Sequence, residues 1–383
     1  MNRQNPVRYF YSILFLAVII LPLVFTNIIP EQNSFFDNKP LPEFPEKVDL
    51  AFFRQLEDYY NLRLGFREPA ISAYQMFNDR LFSLMEHPSY TRGEQNYLYF
   101  RTDNYIRDYQ RIAVNTNYLK RLVAYLERLE KLAGEYGSGF TFVIIPDKKS
   151  IYPEYFPKGY NIKDTPSKLD VLLNLLSQTG LDWLSLKDAF LNRKESQQIY
   201  NVEYDAGHWN ANGEFYGHSL IIEHLHQLDG QIPVLRLEDY EVSTKVMTSL
   251  QTSRFPIREE VPQYALKESK ATNQRKELEQ YGFISQTCSR YRYVQTDSPV
   301  NELKLLIIGD SYMSSSYNYY ASCFREVTFL HVANLPQIRP ILETFQPDMV
   351  ILEAAERVIG GAAKQMLDND TINMQEFPLY TGP

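Results

Sequence analysis

A serine is a nucleophile near neutral pH only when a base stands within hydrogen-bond reach, so the residues of first interest are a well-placed serine and a histidine to serve it. The stretch Leu305-Leu306-Ile307-Ile308-Gly309-Asp310-Ser311-Tyr312 supplies the serine. Four apolar residues followed by Gly-Asp-Ser describe a buried parallel strand running into a tight turn. Ser311 then sits at the strand's carboxyl end, where open α/β sheets place their chemistry. About a hundred residues upstream, Tyr204-Asp205-Ala206-Gly207-His208-Trp209-Asn210 supplies the base. An Asp three residues before a His on a short Gly-containing loop can send both side chains to one side. The carboxylate would fix the imidazole's tautomer while the other ring nitrogen takes the serine proton. The expected triad is Asp205, His208 and Ser311, in one of the several chain orders that triads adopt. Gly-Asp-Ser alone is an ordinary turn tripeptide. The apolar strand before it and the separate Asp-x-x-His-Trp-Asn block give it a catalytic reading.

The elements that must position these residues alternate in type. Asn96 to Phe100 reads as a short aromatic strand. Asn117 to Leu132 is an amphipathic helix with Leu119, Leu122, Val123, Leu126 and Leu129 on one stripe. Phe140 to Ile145 is an apolar strand closed by Pro146-Asp147-Lys148-Lys149-Ser150, whose lysines read as a solvated strand-end pair. A helix (Ser167 to Ser177), a strand (Leu181 to Leu186) and a helix (Gly213 to Leu228) follow. After the Ser311 strand come a strand at Glu326 to Val332, a helix near Gln337 to Phe345, and a strand from Met349 to Leu352 ending in Glu353-Ala354-Ala355-Glu356-Arg357. This alternation argues an α/β fold, a parallel sheet flanked by helices with right-handed crossovers. The polar, charge-mixed stretch 231–301 reads as an insertion over the site.

With 383 residues, 44% of them hydrophobic, the chain can build a large core, and a formal net charge of −8 without a basic cluster argues against nucleic acid. Tyr9 to Pro30 carries no charge, and the 21 residues from Tyr9 to Ile29, at about 1.5 Å each, match the thickness of a hydrocarbon core. Arg3 and Arg8 precede the run and Glu31 and Asp37 follow it, so the positive-inside rule puts a single-pass helix's N-terminus in the cytoplasm and the main domain outside. A cleaved signal peptide fits less well, because no small-x-small site follows. The organisation is then 1–30 cytoplasmic N-terminus and transmembrane anchor, 31–90 connector and helical stalk, and 91–383 catalytic domain. Cys288 and Cys323 can pair or stay as separate thiols. His218, His224 and His226 share no helix face, since positions 224 and 226 lie about 200° apart, so no metal site is expected. No Gly-rich phosphate loop is present, so no cofactor is expected.

The blocks Glu57 to Arg67, Ile145 to Glu154, Asp205 to Asn210, Gly309 to Tyr312 and Glu353 to Arg357 together resemble the AlgJ/AlgX (DHHW) group. These are SGNH-hydrolase-like, membrane-linked or exported proteins of polysaccharide O-acetylation. The resemblance runs from about Phe36 to Arg357. Two residues separate Asp205 from His208, as in ordinary SGNH esterases, where the alginate proteins commonly have one; the serine comes last, a circularly permuted order. The resemblance implies Ser311 as nucleophile, His208 as base and Asp205 as its carboxylate. The Ser311 backbone N–H is one oxyanion donor. Arg357 is a candidate for the second unless it pairs with Glu353 or Glu356, and Asn334 is a weaker one. Trp209 and Tyr312 are candidate substrate contacts, Tyr312 together with Tyr317, Tyr319 and Tyr320 as stacking platforms for sugar rings. The implied activity is extracytoplasmic O-acetyl transfer through an acyl-serine onto an exopolysaccharide or cell-wall glycan, with a membrane-bound O-acyltransferase as the donor partner. The alternatives are a carbohydrate acetyl esterase using the same triad and a non-catalytic scaffold of a biosynthetic complex.

Overall fold

Along the chain the apolar runs become buried strands, and polar stretches add more exposed ones. They are β1 (Tyr90–Arg92), β2 (Leu98–Phe100), β3 (Gly139–Ile145), β4 (Trp183–Ser185), β5 (Tyr240–Ser249) and β6 (Pro256–Leu266). Then come β7 (Ala271–Asn273), β8 (Tyr291–Gln295), β9 (Lys304–Gly309), β10 (Glu326–His331) and β11 (Met349–Ala355). The computed structural model describes residues 6–26, 41–82, 85, 87, 89–112, 114–252, 255–282 and 290–360.

Seven strands form the central sheet in the order β4-β3-β11-β9-β10-β8-β7. The first five are mutually parallel, whereas β8 pairs antiparallel with β10 and β7 antiparallel with β8. The sheet is therefore mixed where a parallel one was expected. The extra strands come from the stretch read as an insertion: 271–295 extends the sheet, while β5 and β6 pair with each other. Their alternating polar residues suit an edge and a two-stranded ribbon, which need only one buried face.

Alternate residues of the inner strands face two cores. Phe140, Phe142, Ile144, Leu306, Ile308, Val350 and Leu352 pack with the helices Thr116–Glu135, Lys168–Leu176 and Ile338–Phe345. Val143, Ile145, Leu305, Ile307, Phe329 and Ile351 pack on the other side with residues of the helix Ala211–Leu228 and with Trp209 and Tyr312. This period-2 split is what a strand buried on both faces demands. From β3 the chain moves outward to β4, and from β9 outward to β10 in the opposite direction, before β11 returns between β3 and β9. That reversal lies at the strand ends where α/β sheets of this kind place their ligand sites, and Ser311 and Arg357 follow the carboxyl ends of β9 and β11.

The chain divides into two compact units, the smaller comprising 1–88, 203–205 and 247–259. Within it, the expected stalk is two helices, Phe52–Arg63 and Arg67–Phe82, and the Gly65 N–H between them donates to Pro22 O at 2.9 Å. The apolar run from Tyr9 to Ile29 yields the 19-residue helix Pro6–Val24, with 27–29 outside the described residues. Among the described residues no helix is long and apolar enough to cross a membrane. Cys323 is buried as a free thiol, and Cys288 lies outside the described residues.

Candidate active site

Gly309 ends β9 where a Cβ would meet Glu353 Oε2 at 2.6 Å, so any other residue would have to push that carboxyl aside. Asp310 then nails the turn down. Its N–H donates to Glu353 Oε2 (2.9 Å), its Oδ1 accepts from the Tyr312 N–H (3.0 Å) and its Oδ2 from the Ala355 N–H (3.0 Å). The Asx-type bond to Tyr312 fixes the turn locally, and the bond to Ala355 ties it to β11. Ser311 is left half-buried at the mouth. Among the described residues no acceptor engages its backbone N–H.

The histidine loop is held with equal care. Asn210 caps the helix Ala211–Leu228 through the N–H groups of Asn212 and Gly213, and Asn201 donates to the carbonyls of His208 and Trp209. Gly207 is obligatory, because a Cβ would lie 2.3 Å from the Phe100 ring. Its carbonyl accepts from the Tyr312 hydroxyl and from Arg357 Nη1. The result is a 2.8 Å contact between His208 Nε2 and Ser311 Oγ, which lie 103 positions apart in the chain.

Arg357 makes the third contact at this centre. Its Nη2 lies 3.3 Å from the same His208 Nε2, and its Nη1 donates to Asp147 Oδ1 (2.7 Å) and Tyr312 Oη (3.2 Å). A guanidinium can only donate. Nε2 must therefore present its lone pair, and the neutral imidazole carries its proton on Nδ1, the tautomer a general base for Ser311 requires.

Behind Arg357 stands a charge network read incorrectly from sequence. Arg357 pairs with Asp147, not with Glu353 or Glu356. Lys148 and Lys149 are buried, not solvated. Lys148 Nζ donates to Leu98 O at 2.9 Å, and Lys149 Nζ lies 2.9 Å from Asp147 Oδ2 and 3.4 Å from Glu356 Oε1. Glu356 also accepts from the Asp147 N–H and the Ser150 hydroxyl. Burial alone would raise the Asp147 carboxyl, yet Lys149 and Arg357 hold it below the usual carboxylate range. The signal missed was position: Asp147 to Lys149 directly follow an apolar strand, at the same sheet edge as Ser311.

The remaining candidates are placed as follows. Asn334 is buried and donates to His331 O at 3.0 Å within its own turn. Tyr312 and Trp209 are core residues, packed against each other with ring centres 4.9 Å apart, and Tyr312 also lies on the His208 ring. Tyr319 and Tyr320 are buried too, while half-buried Tyr317 stacks on Tyr293. These rings shape the site and are not open platforms. His218 bonds Tyr320, His224 bonds Asp182 and His226 bonds Ile232 O. Asp205 is buried and belongs to the smaller unit, whereas His208 and Ser311 belong to the larger.

Glu353 adds a titration to the elbow. Burial and the adjacent Asp310 push its carboxyl well above the usual range, so it is a neutral acid beside the turn it supports. A carboxyl raised by folding stabilises below its unfolded value, and that contribution is lost as pH rises through the folded one. The protein's thermal midpoint is expected to fall on the alkaline side, and Glu353→Gln, which keeps an acceptor for the Asp310 N–H, is expected to remove that fall. Parallel midpoint curves for wild type and variant from neutral to alkaline pH would refute the assignment.

Residues 91–321 match the family model described as SGNH hydrolase-like domain, acetyltransferase AlgX. No curated protein is significantly similar to the chain. Among solved structures, Bacillus cereus PatB1 with a sulfonyl adduct is similar in fold, with a TM-score of 0.56 and 14% identity over 72% of this chain and 97% of that one. The O-acetyltransferase domain of Pseudomonas putida AlgJ aligns with a TM-score of 0.48 and 13% identity over 76% and 96% of the two chains. Pseudomonas aeruginosa AlgX aligns with a TM-score of 0.43 and 12% identity over 74% and 68%.

Proposed function

Because the chain belongs to the AlgX family of SGNH hydrolase-like acetyltransferase domains, we propose that it transfers an acetyl group through Ser311 onto a hydroxyl of an extracytoplasmic polysaccharide. The observation that carries this reading is the 2.8 Å contact of Ser311 Oγ with His208 Nε2 at the carboxyl end of β9. Ser311 attacks the acetyl carbonyl of an ester donor and His208 Nε2 takes its proton. That proton passes to the departing alkoxide, leaving acetyl-Ser311. A sugar hydroxyl then gives its proton to His208 and attacks the acyl carbon, and Ser311 recovers a proton as the acetylated sugar leaves. Asp205, the acid of the Asp-x-x-His block, is the carboxylate this reading assigns to the triad.

The tetrahedral oxyanion needs donors, each worth about 3 kcal/mol. The Ser311 N–H supplies one. Arg357 supplies the other by changing partner: once Nε2 carries the serine proton it has no lone pair for Nη2, which turns to the oxyanion. Asp147 keeps the guanidinium aimed there and partly neutralises a cation that would oppose the charging of His208.

The exposed apolar residues Phe10, Ile13, Phe15 and Val18 of the N-terminal helix suit a membrane seat for the chain, with the catalytic unit outside the cell. Acetyl-CoA is cytoplasmic, so an outside transferase takes its acetyl group from a membrane-bound O-acyltransferase. A strain lacking the chain is expected to lose O-acetyl groups from its surface polysaccharide and to regain them when wild type is restored. Acetylation that rises on deletion would identify an esterase and overturn the transfer reading.

A further inference from the structure

The turn that carries the nucleophile contains three serines after Ser311, and two are spent on the turn itself. Ser314 Oγ donates to Ser311 O at 2.9 Å, and Ser316 Oγ to Met313 O at 2.7 Å. Buried Ser316 also meets Tyr291 Oη at 3.1 Å, whereas the exposed Ser315 turns its hydroxyl to Glu214 Oε1 at 3.4 Å. Glu214 lies in the first turn of the helix Ala211–Leu228, six residues after His208. Each of the two segments that bring the dyad together therefore contributes one arm of a carboxyl–hydroxyl pair beside it.

This carboxyl is unlike the other acids around the centre. Asp147 and Glu356 are bound to Lys149, and Asp147 to Arg357. Asp310 and Glu353 hold backbone N–H groups. Glu214 is half-buried, no cation pairs with it among the described residues, and its hydrogen-bond partner is the long contact from Ser315. A structural carboxylate is normally satisfied more fully than that. A carboxyl that must take hydroxyls from a substrate is not.

Resting on the acetyltransferase reading above, we infer that Glu214 and Ser315 form the acceptor subsite, holding a hydroxyl next to the one acetylated, and that the site selects a neutral saccharide over a polyuronate or polyphosphate. A carboxyl group can accept from two neighbouring sugar hydroxyls, which fixes the ring while its third hydroxyl meets His208. The same group repels an acceptor that carries carboxylates or phosphates. Burial pushes Glu214 up to about 7, partly opposed by the Ser315 bond and by His208. The groups facing it are His208 from the loop, Ser315 from the nucleophile turn, and the phenols of Tyr291 and Tyr319, which feel its charge. None of them is a fixed cation, so near neutral pH the carboxyl can both donate to and accept from a sugar.

The test uses the full-length chain, 4-nitrophenyl acetate as donor, and two acceptors of similar length, a neutral oligosaccharide and an oligouronate. Nitrophenol release reports acylation of Ser311, and mass spectrometry reports the acetylated acceptor. Glu214→Ala is expected to keep the acylation burst within about threefold while transfer to the neutral acceptor falls about 10- to 100-fold, the worth of hydrogen bonds to a charged group. Glu214→Gln, which keeps the hydrogen bonds and removes the charge, is expected to retain more of that transfer and to gain on the oligouronate. If Glu214→Ala transfers as wild type does, the subsite is wrong and the transferase reading stands. If the variant loses the burst together with transfer, Glu214 serves the chemistry or the fold and the inference falls. If wild type forms the acyl-enzyme but passes it only to water, the transferase reading fails and this inference with it.

Discussion

Ser311→Ala is expected to lower acetyl transfer and ester hydrolysis by about 10⁴-fold or more, with His208→Ala losing about as much and the double variant losing little further. Residues that act as one unit are not additive in their removal. The substitution deletes a single hydroxyl from a half-buried residue, and the turn around it is held by Asp310 and by the Tyr312 N–H, neither of which touches that hydroxyl. Stability should therefore change little, which makes the loss a chemical one. Asp205→Asn provides the next step in the series: if Asp205 is the triad's carboxylate, as proposed, its replacement by an amide is expected to cost about 10⁴-fold, the loss that a histidine held in the wrong tautomer brings. Nitrophenol release and acetylated glycan, measured beside the unfolding midpoint of each variant, decide the matter. Ser311→Ala retaining a tenth of wild-type turnover would remove the serine from the mechanism. Asp205→Asn at full activity would leave Ser311 and His208 as a dyad supported by Arg357 alone.

Much of the geometry around Ser311 was legible because it depends on local pattern. The run Leu305 to Ile308 has no polar break and forms a strand buried on both faces, and Gly309-Asp310-Ser311 forms the turn that such a strand end requires. The Asp-x-x-His-Trp-Asn block contains its own cap, Asn210, a signal that would have started the next helix at Ala211 and not at Gly213. What stayed hidden depends on partners far apart in the chain. The Lys148-Lys149 pair looks like a solvated strand end because its compensating groups are Asp147, Glu356 and two carbonyls, and residue 356 is more than 200 positions away. Tyr312 and Trp209 looked available to a ligand because aromatic residues serve sugars and cores equally well, and only packing distinguishes the two uses. The strands β7 and β8 escaped notice for a related reason: β7 is the sheet's edge and β8 lies just inside it, where few apolar residues are needed, so their mixed sequences resemble a loop.

Asp147→Ala is expected to destabilise the protein by about 3–5 kcal/mol and to lower acetyl transfer besides, because it removes one of two carboxylates from a buried set of two acids and two bases. In wild type the charges of Asp147, Glu356, Lys149 and Arg357 cancel. Asp147 is the member that joins both cations, through Oδ1 to Arg357 and Oδ2 to Lys149. Without it, Glu356 faces Lys149 at 3.4 Å and nothing among the described residues replaces the ion pair of Arg357. The guanidinium then loses the anchor that aims Nη2 at His208, so the defect in stability carries a defect in chemistry with it. Two milder variants separate the effects. Arg357→Lys keeps a cation for Asp147, but a single ammonium cannot meet Asp147 and Nε2 with the fixed fork of a guanidinium, so turnover should fall more than stability. Asp147→Asn keeps the shape and removes the charge. Because folding lowers the Asp147 carboxyl from its ordinary value of 3.8, the stability it contributes is present above that value and is lost as pH falls through the lower, folded one. Asp147→Asn should therefore be less stable than wild type at neutral pH and lose less on acidification. Urea unfolding of both proteins from neutral pH to about pH 3 tests this directly, and a constant gap between the two curves would show that the titration of Asp147 does not set the difference in stability.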